Sequence, residues 1–134
     1  MAGRKHPEKE HAELRNTLLG DALQTGDMVA VAFALRHGPT VVPILDAGQR
    51  DDPSGTRDVW TYRDPRTGDI ALLLFSDATH KPGTLPPGVA LLSPAGLREF
   101  LGAHEDEIKT VFFDIAGPNA MQATPTDLIA ALDA

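Results

Sequence analysis

Two short stretches of the chain carry side chains that could bind a metal ion or transfer protons. Asp77 and His80 share one loop and could form an acid–base pair, although a zinc site there would need further ligands from elsewhere. His104 begins the sequence His-Glu-Asp-Glu, which resembles a cluster for hard cations but follows Gly102 in a connecting segment. Both stretches are more simply interpreted as solvated surface loops. The sequence therefore predicts no catalytic residue and no metal ligand.

Asp114 is the carboxylate with the most informative surroundings. It lies in the apolar sequence Phe-Phe-Asp-Ile, where an unpaired charge would be costly to bury. One interpretation makes it a strand-end acceptor for backbone N–H groups of the turn that contains Pro118 and Asn119. The alternative is a small-molecule pocket beside Asp114 or beside the loop of Asp77 and His80.

An aromatic pair is the main candidate for contact with a protein partner. Trp60 and Tyr62 are two apart on a predicted strand, so both side chains point to the same face. With Arg63 beside them, a solvent-facing pair would be typical of an interface hot spot. The alternative is that the pair packs in the core. The other aromatic residues are phenylalanines in sequences that predict burial: Phe33, Phe75, Phe100, Phe112 and Phe113.

The composition excludes several classes of function. The 134 residues fit one domain, and the absence of cysteine removes disulfides, thiolate zinc sites and thiol nucleophiles. A net charge of −7 argues against nucleic-acid binding, which depends on neutralising phosphates with Lys and Arg. No nucleophile-elbow, phosphate-loop or dinucleotide motif occurs, so no cofactor is expected.

The start of the chain indicates a cytoplasmic location. Residues 1–11 are polar and charged, without the apolar stretch of a secretory signal peptide. No segment approaches the roughly 20 apolar residues that span a bilayer, so no membrane association is expected. We expect residues 1–12 to form a flexible arm and residues 13–134 to form a single domain.

Helical spacing and capping residues predict about four helices. Asp27, Ser93 and Thr124 are good N-caps, and proline follows the last two at the first helical position. The first predicted helix has its charged first turn at residues 8–10 and ends near Gly26, and the others cover residues 28–37, 94–102 and the segment from 125 onward.

Apolar and β-branched runs predict strands at residues 40–45, 59–63, 70–75, 89–92 and 109–115. Residues 64–69 contain proline and glycine and predict a hairpin turn, so the two strands around it should pair antiparallel. Residues 47–58 hold turn-forming residues with nothing to bury, and we expect a mobile loop there. If the strands at 89–92 and 109–115 run parallel in one sheet, their crossover should be right-handed. The predicted fold class is α+β, with a single mixed β-sheet of four to five strands packed with about four helices.

The order of two motifs resembles a known family. Leu-Leu-Phe-Ser at residues 73–76 precedes Phe-Asp-Ile-Ala-Gly-Pro-Asn-Ala at 113–120, after two helices and a Val-Val-Pro strand at 41–43. From about residue 14 onward this resembles the N-terminal domain of the SseB family, bacterial proteins named for an enhanced-serine-sensitivity phenotype. The resemblance implies an α+β fold and no established catalytic residue or cofactor. Some related proteins are named as secretion-associated, which implies binding to a partner.

These observations favour a non-enzymatic interaction or accessory domain that binds a protein partner or forms a homodimer, with a secretion-associated role as one option. The alternative is a small-molecule-binding regulator or a minor enzyme with a pocket near Asp114 or the loop of Asp77 and His80. The candidate interaction residues are Trp60, Tyr62, Arg63, Asp114, Pro118 and Asn119.

Overall fold

The computed structural model describes residues 15–45, 59–85 and 88–134. The predicted arm at 1–12 and the predicted loop at 47–58 lie outside the described residues. Within the described part, the chain forms an α+β fold, as the sequence predicted. No helix in these three ranges is long and apolar enough to cross a membrane.

The described part of the chain has four α-helices that begin at polar capping side chains and cover Thr17–Thr25 (α1), Met28–His37 (α2), Pro94–Ala103 (α3) and Pro125–Asp133 (α4). The predicted caps Asp27, Ser93 and Thr124 each accept a hydrogen bond from a backbone N–H of the first turn. α1 begins at Thr17, because Asn16 is its N-cap and accepts from Leu19 N at 3.0 Å, and the earlier start predicted for this helix lies outside the described residues.

In the described ranges, six strands form two sheets, and they cover Thr40–Ile44 (β1), Thr61–Arg63 (β2), Ile70–Leu74 (β3), Gly88–Leu92 (β4), Ile108–Phe113 (β5) and Met121–Ala123 (β6). β1 and β4 pair antiparallel, while the other sheet has the order β2-β3-β5-β6. In that four-stranded sheet, β3 and β5 are parallel and the outer strands are antiparallel to their neighbours. The predicted hairpin of β2 and β3 is therefore confirmed. The short strand β6 was missed, because three residues show too little periodicity to predict a strand.

The prediction of a single sheet is corrected to two sheets, and isolated bridges link β1 to the residues beside the second sheet, from Val41 to Phe75 and from Ile44 to Val59. Val41 N donates to Phe75 O at 3.1 Å, and Phe75 N donates to Val41 O at 2.9 Å. Because β4 and β5 lie in different sheets, residues 89–115 do not form a crossover within one sheet. The parallel neighbour of β5 is β3.

The two faces of the four-stranded sheet have different surroundings. Leu72 and Phe113, with the alternate residues of their strands, pack into the main core together with the four helices. Leu73 points to the other face and forms a second, smaller cluster with Val41 and Phe75. The helices therefore cover one face of β3 and β5, and the opposite face is only partly covered.

Phe33, which was predicted to be buried, and Ile115, at the end of the predicted strand 109–115, are both exposed. Phe33 has 47% of its surface exposed on the outside of α2, where its ring stacks on His37 with a centroid distance of 4.1 Å. Ile115 is 42% exposed, because β5 ends at Phe113 and Asp114 turns the chain with a positive φ of 46°.

Candidate functional site

A buried polar cluster lies at the ends of β3 and β5. Ser76 and Asp114 are 2% and 3% exposed, respectively. The backbone N–H of Ser76 donates to Asp114 Oδ1 at 2.8 Å, and its hydroxyl donates to Asp114 Oδ2 at 2.7 Å. His80 Nδ1 lies 3.2 Å from the same Oδ2 atom. The buried carboxylate thus has donors at both oxygens, which offsets the cost of removing its charge from water.

Strand topology brings these side chains together. Ser76 follows β3 and Asp114 follows β5, and the carboxyl ends of neighbouring parallel strands lie at the same edge of a sheet. His80 comes from a 3₁₀ turn, Ala78–His80, which is capped by the Asp77 side chain. Asp114 accepts hydrogen bonds at the end of a strand, as one sequence interpretation predicted. The predicted donors, backbone N–H groups of the following turn, were wrong. Its carboxylate binds Ser76, and the following turn uses only its backbone oxygen, which accepts from Gly117 N at 2.8 Å.

The cluster does not have the geometry of a hydrolytic triad. In such a triad the imidazole lies between serine and carboxylate and uses a different nitrogen for each. Here His80 Nδ1 faces both groups, at 3.3 Å from Ser76 Oγ and 3.2 Å from Asp114 Oδ2. The Ser76 hydroxyl is buried and already donates a hydrogen bond to the carboxylate. The arrangement ties two strand ends together and leaves no activated nucleophile.

A polar pocket of about 240 Å³ opens beside this cluster. The pocket is lined by Asp114 and by Asp77 and His80, which the sequence analysis considered as two separate candidate sites. Pro118 and Asn119 also line it. Ser76 was not predicted to belong to a site. The only signal for it in the sequence is a hydroxyl residue at the end of an apolar strand.

The charge of Asp77 is stabilised where the loop meets the start of the first helix. Partial burial by itself would raise the pKa of the Asp77 carboxyl. The hydrogen bonds from Thr79 N and Oγ1 and the charges of Arg15 and His80 outweigh that effect and lower the pKa below its ordinary value. Arg15 Nε lies 3.6 Å from Asp77 Oδ2. No group of three or more metal-ligating side chains occurs in the described ranges.

The partly covered face of the four-stranded sheet holds an apolar groove of about 470 Å³. We call it the sheet groove, and its apolar walls include Tyr62, Leu73, Pro82, Leu85, Phe112 and Ile115. Tyr62 and Ile115 are 43% and 42% exposed, so large apolar groups are open to solvent here. Charged side chains, Asp64, Asp69 and Lys109, line one end.

The predicted interaction residues do not form one surface. The rings of Trp60 and Tyr62 are neighbours, with centroids 6.5 Å apart, but Trp60 packs half-buried against the second cluster whereas Tyr62 is exposed. Arg63 does not line the groove, and its Nη1 donates to Gly68 O at 3.3 Å. Asp114 lies away from both groups, because it lines the polar pocket. His104, which the sequence analysis weighed as part of a cation-binding cluster, lies on the surface, and its Nδ1 is 2.8 Å from Glu107 Oε1.

The described chain is thus a small α+β protein with a closed Ser–Asp–His cluster and an open apolar groove on one sheet face. Comparison of the chain with protein-family models, with curated proteins and with solved structures gives no match. The resemblance to the SseB N-terminal domain stays a prediction.

Proposed function

We propose that this chain is a non-enzymatic interaction domain of the SseB N-terminal type, which binds a protein through the sheet groove. The observation that carries the proposal is the pair of large, exposed groups, Tyr62 and Ile115, at an apolar groove of about 470 Å³. Tyrosine is among the residue types most enriched at interface hot spots. A protein occupant is favoured over nucleic acid by the net charge of −7. A bacterial, cytoplasmic setting belongs to the same proposal.

The polar cluster supports a binding role over a catalytic one. An enzyme needs a nucleophile or a general base that can reach its substrate. The Ser76 hydroxyl donates to Asp114, and both residues are buried. A screen against hydrolase, transferase and oxidoreductase substrates should therefore find no turnover. Turnover that a single substitution at Ser76 or His80 abolishes would contradict the proposal.

Affinity capture with matched variants tests the groove directly. Tyr62→Ser removes an exposed ring from the groove, whereas Val29→Ser removes an exposed apolar group from α2, where Val29 is 77% exposed. A partner captured by the wild type and then purified should bind the Val29→Ser protein normally. It should bind Tyr62→Ser at least about tenfold more weakly. A partner that is lost with Val29→Ser and kept with Tyr62→Ser would move the binding surface to the helices.

A second candidate function is favoured by the convergence of Asp77, His80 and Asp114 on one polar pocket. A small polar molecule could bind there and regulate the protein. The pocket has about half the volume of the sheet groove, so its ligand would be small. Metabolite mixtures should then raise the melting temperature of the wild type but not that of His80→Ala.

A further inference from the structure

We propose that the protein bound in the sheet groove is a second copy of this chain, and that the two copies form an isologous dimer. The inference rests on the proposed function, since it names the occupant of the same groove. It is argued from the positions of charges around the groove and from the order of the strands.

Two of the three charged groups that line the groove lie on opposite sides of one central strand, and the third, Asp69, directly precedes that strand. Arg63 pairs with Ile70, and Ile70 pairs with Ile108 in the parallel neighbour. Asp64, directly after β2, and Lys109, near the start of β5, therefore lie at the same end of the sheet. Because β3 runs between β2 and β5, the carboxylate and the ammonium group flank it on either side.

A two-fold axis above β3 and parallel to it makes this arrangement self-complementary. Rotation about such an axis keeps the ends of the strands together but places β2 of one copy over β5 of the other. Asp64 of each copy then faces Lys109 of the second copy, the two Asp69 carboxylates lie near the axis between the two lysines, and the apolar groove faces itself. Within the described residues Lys109 has no ion pair, so its charge is available for this contact.

The size of the face sets the expected affinity. The six residues of β5 span about 20 Å, and four strands span about 15 Å between the outer two. The second cluster covers part of this face, so the area left for a second copy is smaller than that of standard specific interfaces and is typical of weak, transient ones. Association should therefore be measured from about 1 μM to 1 mM.

Sedimentation equilibrium over this concentration range measures the dimer directly. The wild type should reach twice the monomer mass, and Tyr62→Ser should weaken association about tenfold or more. Val29→Ser is the control for loss of an exposed apolar group and should associate like the wild type. Thermal melts of both variants establish that they are folded before association is compared.

A charge pair of variants tests the relative orientation of the copies. Lys109→Glu places two carboxylates against each other and should weaken association about tenfold. Adding Asp64→Asn to that variant removes the repulsion and should restore most of the loss. Asparagine keeps the side-chain oxygen that accepts from Arg66 N at 2.8 Å, so the turn is retained. Arg98→Glu makes the same change in net charge on α3 and should have no effect on association.

The outcomes separate this inference from the function on which it rests. A wild type that stays monomeric at about 1 mM, or a dimer indifferent to Tyr62→Ser, overturns the dimer. If that monomer still binds another protein in a Tyr62-dependent manner, the proposed function stands without the dimer. If no protein binding depends on Tyr62, both proposals fail. Failure of Asp64→Asn to rescue Lys109→Glu overturns the two-fold arrangement described above.

Discussion

At the scale of single residues, Asp114 combines a buried charge with an unusual backbone conformation. Its carboxylate accepts two hydrogen bonds from Ser76, and its φ of 46° lies in the left-handed region that non-glycine residues seldom adopt. Aspartate and asparagine tolerate that region better than most residues do. The aspartate therefore has two roles. It accepts hydrogen bonds from the buried N–H and hydroxyl groups of Ser76, and it tolerates the backbone conformation of the turn after β5.

We expect Asp114→Ala to lower the free energy of unfolding by about 2–4 kcal/mol. The variant leaves the Ser76 donors buried without an acceptor and puts alanine at a positive φ. Urea denaturation followed by circular dichroism measures the change. Asp106→Ala, which removes an exposed carboxylate, is the control and should keep the wild-type midpoint. Equal midpoints for the Asp114 variant and the wild type would show that the cluster contributes nothing to stability.

Asp77 should make stability depend on pH in the acid range. Its pKa is lower in the folded protein than the ordinary carboxyl value, so its contribution is fully present above that ordinary value and is lost as pH falls through the folded pKa. The slope of unfolding free energy against pH between about 5 and 3 should be smaller in Asp77→Asn than in the wild type. Thr79→Ala, which removes one of the stabilising hydrogen bonds, should give an intermediate slope. An unchanged slope in Asp77→Asn would contradict the assignment.

At the scale of elements, β5 shows how a strand end divides buried from exposed positions. Phe113 is fully buried in the main core, and Ile115, two residues later, is 42% exposed. Simple alternation would place both on the same face. The turn at Asp114 ends that alternation, so only the first of the two contributes to the core.

The two positions should therefore differ strongly when truncated. Phe113→Ala should cost about 3–5 kcal/mol, because it leaves a cavity in a packed core. Ile115→Ala should cost less than about 1 kcal/mol, as exposed substitutions usually do. Denaturant midpoints of the two variants measure the difference. If the two variants lose similar, large amounts of stability, Ile115 is covered in solution, as it would be in a strongly associating dimer. Dilution of the protein should then reduce the destabilising effect of Ile115→Ala.

At the scale of the whole molecule, the two sheets are joined through the second cluster. The bridge between Val41 and Phe75 connects β1 to the residue that follows β3. Both residues belong to the second cluster, and Trp60 packs against that cluster. Trp60 N also donates to Pro43 O at 2.9 Å. Contacts of this kind couple the two-stranded sheet to the four-stranded one.

Unfolding should consequently be a single transition for both sheets. Trp60 is the only tryptophan of the chain, so its fluorescence reports on the second cluster alone. Circular dichroism in the far ultraviolet reports on all helices and strands. The two signals should give the same urea midpoint, as expected for two-state unfolding. An earlier fluorescence transition would show that the second cluster opens independently of the main core.

The sequence alone was sufficient for the class of fold and for most local elements. Short-range chemistry decides these features: Asp27, Ser93 and Thr124 cap helices through neighbouring backbone groups, and the hairpin turn pairs the strands beside it. The burial of Phe113 also follows from its apolar neighbours in the sequence.

Only the tertiary structure decided the two surfaces on which function is proposed. Ser76 and Asp114 are 38 residues apart, and they meet because β3 and β5 are parallel neighbours, a pairing that no local pattern specifies. The sheet groove likewise exists because the four described α-helices pack on one face, which leaves Tyr62 and Ile115 on the other. Local sequence determines which side chains share a face of an element, whereas long-range packing determines whether that face is covered.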